Sequence, residues 1–263
     1  MIAAKERAVV FLDLDGTLVD KSGWISPLVL DGLGQLRQNG HLAMVCTGRP
    51  LCRVPRELWD VGLDGAITLA GGYAAVGQTV LYEAAFPREL ALRLLNVCQE
   101  AGISCLMENN ETNLSFAPDG VHPDPGLGTS VVQSVEELGR LYPDYRFSKL
   151  VMRSPYAPKI LPYQPSFASE LTFQDTNVGF YEVSLKGVTK ERAIRRVLDY
   201  LGRDTAGTYG IGDSENDIGM LDTVQTAIAM GNAQDPVKAR AHHVTAPVGG
   251  DGVYWALRHY QLI

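Results

Sequence analysis

At 263 residues, 46% of them apolar and 20% charged, the chain has room for one large domain or two modest ones and is too apolar for intrinsic disorder. A net charge of −7 argues against a nucleic-acid surface, which needs clustered Lys and Arg, but leaves a small phosphorylated ligand open, since a few local cations and a metal reverse the field in one cleft. No run reaches the ~18 consecutive apolar residues of a membrane span, and Asp13 and Asp15 break the first apolar run where a signal-peptide core would be unbroken.

The first 82 residues alternate strand and helix. Ala8–Leu14 is a continuous apolar run ending at a turn, as in a buried parallel strand. Ser26-Pro27 starts a helix, with Ser as N-cap and Pro at the first position, and Gly40 ends it. A second buried strand follows at His41–Cys46, a short helix at Arg56–Asp60 and a third strand at Ala66–Leu69. The middle of the chain reads differently. Pro87–Ala101 is an amphipathic helix, Ile103–Met107 and Leu114–Ala117 are strands, and Pro118–Gly128 is a Pro- and Gly-rich loop. Ser134-x-x-Glu137 is a capping box, and Phe147–Arg153, Leu171–Gln174 and Val178–Ser184 are strands, together an α+β unit on an antiparallel sheet. Alternation then returns, with helices at Thr189–Leu201, Glu215–Leu221, Pro236–Ala241 and Gly252–His259 around strands at Thr208–Gly212, Ala227–Met230 and His243–Thr245. The expectation is an α/β protein: a Rossmann-like parallel-sheet core at 1–82 and 186–263, with an α+β domain inserted at 83–185.

Four segments bring polar residues to the carboxyl edge of such a sheet, where open α/β folds place their sites. Asp13-Leu-Asp15-Gly-Thr sets two acids two residues apart at a strand end, which is expensive unless a cation or hydrogen bonds compensate them; a solvated Asp-Gly turn is the alternative. Cys46-Thr47-Gly48-Arg49 offers a hydroxyl and flexible N–H groups to a phosphate oxygen, though Thr-Gly turns are common. Lys190 lies in the first turn of a helix, where a cation opposes the helix dipole unless it faces an anion; a surface Lys is the other reading. Gly212-Asp213-Ser-Glu-Asn216-Asp217 follows a strand and opens a helix, and Asp13, Asp15 and Asp213 would give Mg²⁺ an oxygen cradle.

These four segments, in this order and spacing, resemble the motifs of the haloacid dehalogenase superfamily. Ala229-Met-Gly-Asn-Ala-x-x-x-Val-Lys-x-x-Ala and Asp251-Gly-Val are similar to its Cof-type subgroup, which carries an inserted α/β cap of type IIB. The resemblance spans the chain and implies a Mg²⁺-dependent phosphatase acting on a small phosphorylated metabolite, with the cap setting specificity. It implies Asp13 as nucleophile forming an aspartyl-phosphate, and Asp15 as acid and then base, with its backbone carbonyl on the metal. Thr47, Gly48, Lys190 and Asn216 would hold the phosphoryl oxygens, Asp213 would ligate metal, and Asp217 would orient metal-bound water or Lys190. One departure stands out: the subgroup's Asn-Gly after the third strand is replaced by Ala70-Gly71-Gly72.

Two rivals share these residues: a phosphosugar mutase using the same aspartyl-phosphate, and a non-catalytic module that binds a phosphorylated ligand and needs neither Asp13 nor Asp15. His242-His243 is a poor metal pair, because neighbours on a strand diverge. Lys149 and Arg153, on a strand of the inserted region, are the better candidates there to contact substrate, with plain surface charge the favoured alternative. None of the four cysteines forms a Cys-x-x-Cys pair, which with the missing signal predicts a cytoplasmic protein with free thiols. A monomer or weak homodimer is expected, with no nucleic acid or membrane.

Overall fold

A computed structural model describes residues 7–153, 156–176 and 179–263. The chain forms two compact units. The first contains the chain up to Arg49 together with Arg53–Tyr82 and Thr189–Ile263; the second contains Glu83–Val188 and the short piece Pro50–Cys52.

The first unit is built on an eight-stranded sheet. Its strands are β1 (Val9–Leu12), β2 (Leu42–Cys46), β3 (Gly65–Thr68), β4 (Tyr73–Val76), β5 (Thr79–Glu83), β12 (Thr208–Gly212), β13 (Thr226–Ala229) and β14 (His243–Val244), in the spatial order β14-β13-β12-β1-β2-β3-β4-β5. From β14 to β3 every pairing is parallel. β1 and β2 are buried throughout, because helices cover both faces of a parallel sheet and leave no side for polar alternation. Parallel order and uniform burial bear out the predicted α/β class. The sequence missed β4 and β5, and β4 runs antiparallel to β3.

Local signals set the helices. α1 (Pro27–Gln38) begins where the Ser26 hydroxyl accepts from the Leu28 N–H. α7 (Lys190–Tyr200) begins at Thr189, whose hydroxyl accepts from the Arg192 N–H, and it buries Ala193, Ile194, Val197 and Leu198 along one stripe. The predicted Glu215–Leu221 helix is a 3₁₀ turn at Glu215–Asp217 followed by α8 (Ile218–Leu221). The break lets Asp217 reach back to the N–H groups of Asp213 and Ser214.

The second unit has a six-stranded sheet, ordered β10-β11-β9-β6-β7-β8. These strands are β6 (Cys105–Glu108), β7 (Leu114–Phe116), β8 (Ser130–Val132), β9 (Lys149–Arg153), β10 (Leu171–Asp175) and β11 (Phe180–Leu185). Val178, placed in a strand by the sequence, lies outside the described residues. The sheet is not wholly antiparallel: β8, too short to stand out in the sequence, pairs parallel with β7. Its core packs Leu90, Leu94 and Cys98 of α3 (Arg88–Glu100) with Cys105, Met107, Phe116, Leu150, Met152 and Val183 of the strands. Those strand positions share one face; Glu108, Lys149 and Glu182 alternate onto the other. All four cysteines are free thiols, and no described helix is long and apolar enough to cross a membrane.

Candidate active site

The register of the parallel strands sets the site. Leu12 pairs with Val45 on one side and Ile211 on the other, so β1, β2 and β12 end at one edge. Asp13, Thr47 and Asp213 are the first residues beyond those ends. Backbone bonds continue past the strands, with the Asp13 N–H donating to Ile211 O at 2.9 Å and the Thr47 N–H to Ile67 O at 2.8 Å.

Lys190 is the centre of the charge arrangement. Its ammonium donates to Asp13 Oδ1 at 2.7 Å and to Asp217 Oδ1 at 2.6 Å, and lies 3.5 Å from Asn216 Oδ1. All three charged groups are buried. Two carboxylates against one cation make tolerable what burial and the helix dipole each oppose. Burial alone would lower the Lys190 pKa, but Asp13 and Asp217 outweigh it and hold the ammonium well above its usual range. Asp13 is also raised above its ordinary value: burial first, then the Asp217 charge, push its carboxyl up despite Lys190. Asp217 spends its other oxygen on the Asp213 and Ser214 N–H groups, both at 3.1 Å.

Gly16, at φ +83°, carries the chain past Asp15, and a Cβ there would overlap the Asp213 carboxylate. Burial, then the charge of Asp217, push the Asp213 carboxyl up to about 6. Its Oδ1 is buried without a hydrogen-bond partner among the described residues. Asp13, Asp213 and Asp217 bring one oxygen each within 4.8 Å of one another. A hard cation fits this set: the donors are all carboxylate oxygens, and Asp213 Oδ1 lacks the positive partner that a buried carboxylate needs. The side-chain cluster thus includes Asp217 where the sequence had placed Asp15.

Asp15 is turned elsewhere. Its carboxylate is 56% exposed and forms a bidentate pair with Arg49, Nε to Oδ2 at 2.9 Å and Nη2 to Oδ1. The Thr47 hydroxyl is buried and accepts from the Arg49 N–H at 3.1 Å, which leaves its own proton to donate. Asn216 Oδ1 accepts from the Ser214 hydroxyl at 2.9 Å, so its amide N–H groups are left for another partner.

The Ala70-Gly71-Gly72 departure has a structural part. Leu69, Ala70 and Gly71 all take positive φ, at 53°, 55° and 100°. The Leu69 N–H donates to Arg49 O at 2.9 Å and the Ala70 N–H to Thr47 O at 3.1 Å. A Cβ on Gly71 would overlap the Thr189 carbonyl, and Gly71 O accepts from the Tyr82 hydroxyl at 2.6 Å. One left-handed turn therefore abuts both the Thr47 loop and the start of α7.

Of the residues singled out in the first unit, Asp13, Lys190, Asn216, Asp213 and Asp217 converge, and Thr47 and Asp15 flank them. The second-unit expectation needs correcting. Lys149 is buried and spent, 3.1 Å from Glu108 and 2.9 Å from Glu182. Arg153 donates to Pro123 O at 2.6 Å and pairs with Asp124 at 3.5 Å. Carboxylates on neighbouring strands claim Lys149 and the Pro123–Asp124 loop claims Arg153, partners invisible in a linear sequence. His242 Nδ1 accepts from the Ala227 N–H and the His243 ring stacks on His259, so the two side chains serve different partners. The sequence reading gave Arg49 no role of its own, although it lay within a quoted motif.

The sequence profile of the haloacid dehalogenase-like hydrolases matches residues 10–257. The protein YkrA of Bacillus subtilis (strain 168) is 26% identical, with 98% of this chain and 99% of that protein covered. Pyridoxal phosphate phosphatase YbhA of Escherichia coli (strain K12) is 24% identical, covering 90% and 92%. Among solved structures, the HAD subclass IIB sugar phosphatase BT4131 superposes with a TM-score of 0.80 at 27% identity, covering 97% of this chain and 100% of that one. The chain belongs to the haloacid dehalogenase-like hydrolases.

Proposed function

We propose that this phosphoric monoester hydrolase frees phosphate from a small phosphorylated metabolite by attack of Asp13 on phosphorus, with Mg²⁺ as cofactor. The observation that carries the reading is the buried Lys190 ammonium held between Asp13 and Asp217 beside an uncompensated oxygen of Asp213. A module that only binds phosphate gains nothing from gathering three carboxylates, two of them buried, around its ligand.

In the first step an oxygen of Asp13 forms a bond to phosphorus as the bond to the leaving oxygen breaks, giving an aspartyl-phosphate and an alcohol. Lys190 lowers the repulsion between Asp13 and the incoming phosphate, and the Thr47 hydroxyl, the Gly48 N–H and the Asn216 amide hold phosphoryl oxygens. Asp15 gives its proton to the leaving oxygen, then takes one from the water that opens the aspartyl-phosphate. At rest the Asp15 carboxylate is paired with Arg49, and this pair loosens for Asp15 to reach the leaving oxygen. Asp13, Asp213 and the Asp15 backbone carbonyl would hold Mg²⁺, which supplies charge neutralisation between nucleophile and phosphate. Asp217 orients Lys190. The inserted unit is assigned to choosing among metabolites, in keeping with relatives named for pyridoxal phosphate and sugar phosphates.

The test is phosphate release from a broad panel of phosphorylated metabolites, with Mg²⁺ and with EDTA. Release that needs Mg²⁺ and favours a few compounds supports the reading. Isomerised phosphosugar with little free phosphate would replace it by a mutase.

A further inference from the structure

The sequence gives Asn232 no role beyond its place in Met230-Gly-Asn-Ala. In the structure the turn after β13 sets its amide among three groups. Nδ2 donates to Gly16 O at 2.8 Å and to Asp213 Oδ2 at 3.3 Å, while Oδ1 accepts from the Val248 N–H at 2.8 Å. Two acceptors face the nitrogen and one donor faces the oxygen, so the amide has a single satisfactory orientation. Asp213 is thereby tethered through Oδ2, and its Oδ1 stays buried and unpartnered. A terminal carboxylate has a broad, soft rotation unless an oxygen is held. A Cβ on Gly16 would overlap the same carboxylate, so only glycine leaves room for it there.

We propose that Asn232 is a positioning residue for the metal: it fixes the rotation of the Asp213 carboxylate so that Oδ1 faces the cation. Through Gly16 O it also ties the Asp13–Gly16 loop to Asp213, which keeps the two ligand-bearing segments in one register. The inference rests on the reading of Asp213 as a Mg²⁺ ligand. A contrasting role, holding only the Val248 turn, would leave metal affinity untouched.

The experiment titrates Mg²⁺ against the substrate-free full chain and follows the thermal unfolding midpoint. Wild type, Asn232→Ala, Asn232→Ser and Ser26→Ala are compared. Ser26 is the control, because it bonds Asp251 near the Val248 turn but is bonded to neither Gly16 nor Asp213. Removing a group that orients a metal ligand weakens affinity about 10–100-fold. Both Asn232 variants should therefore need at least about tenfold more Mg²⁺ for the wild-type upward shift, while Ser26→Ala keeps the wild-type dependence even where its baseline midpoint falls. Wild-type Mg²⁺ dependence in both Asn232 variants overturns the inference. A wild type that Mg²⁺ does not stabilise overturns instead the metal reading beneath it.

Discussion

Lys190 separates two buried carboxylates that would otherwise face each other without a cation. Lys190→Met would leave both uncompensated, and breaking a buried ion pair in this way costs about 3–5 kcal/mol. Urea unfolding at neutral pH should show that loss. Asp13 already prefers its proton more than an ordinary carboxyl, and without Lys190 the preference grows, so the deficit should shrink as pH falls and protons replace the missing cation. A deficit constant with pH would mean the two acids are not the cause. Asp213 supplies a second dependence. Its carboxyl, raised to about 6 from 3.8 by burial and by Asp217, keeps a proton below that pH in the metal-free fold. The proton competes with a cation for the same oxygen, so the acid limb of activity should move to lower pH as Mg²⁺ is raised. An acid limb that ignores Mg²⁺ concentration would contradict this.

At the scale of elements, the left-handed turn Leu69–Gly71 links the Thr47 loop to α7. Gly71→Ala would force a Cβ against the Thr189 carbonyl, on the residue next to Lys190. The expected result is loss of more than about tenfold in kcat, because small misplacements of a catalytic group are costly, with a lowered unfolding midpoint. Wild-type kcat in this variant would mean that the turn does not set Lys190. The turn also shows where the sequence stops speaking. Its strain depends on contacts with segments far away in the chain, so Ala70-Gly71-Gly72 reads in the sequence only as a departure from the subgroup's Asn-Gly. Long periodic elements such as α1, α3 and α7 were legible, because their caps and apolar stripes are local. β4, β5 and β8 were not: short strands carry weak alternation, and partners distant in sequence decide them. The acid segments of the site were legible from their place at strand ends. The diversion of Lys149 to Glu108 and Glu182 was not, because it depends on strand register.

At the scale of the whole molecule, the chain leaves the first unit after Tyr82 and rejoins it at Thr189. Both of these residues touch Gly71, so the ends of the first unit lie close together. Replacing residues 84–187 by a short Gly-Ser linker should therefore leave a chain that binds Mg²⁺ and hydrolyses a small aryl phosphate, with its selectivity among metabolites lost. Retained selectivity would place substrate choice in the first unit.

In the proposed mechanism Asp13 becomes the phosphoryl carrier. The direct measurement is acid quenching of the wild-type enzyme during turnover of its best panel substrate, followed by mass analysis of the intact chain and its peptides. The expected result is the added mass of one phosphoryl group on the peptide holding Asp13, absent in Asp13→Asn, which also loses phosphate release. Turnover with no phosphorylated Asp13, and release surviving in Asp13→Asn, would contradict it.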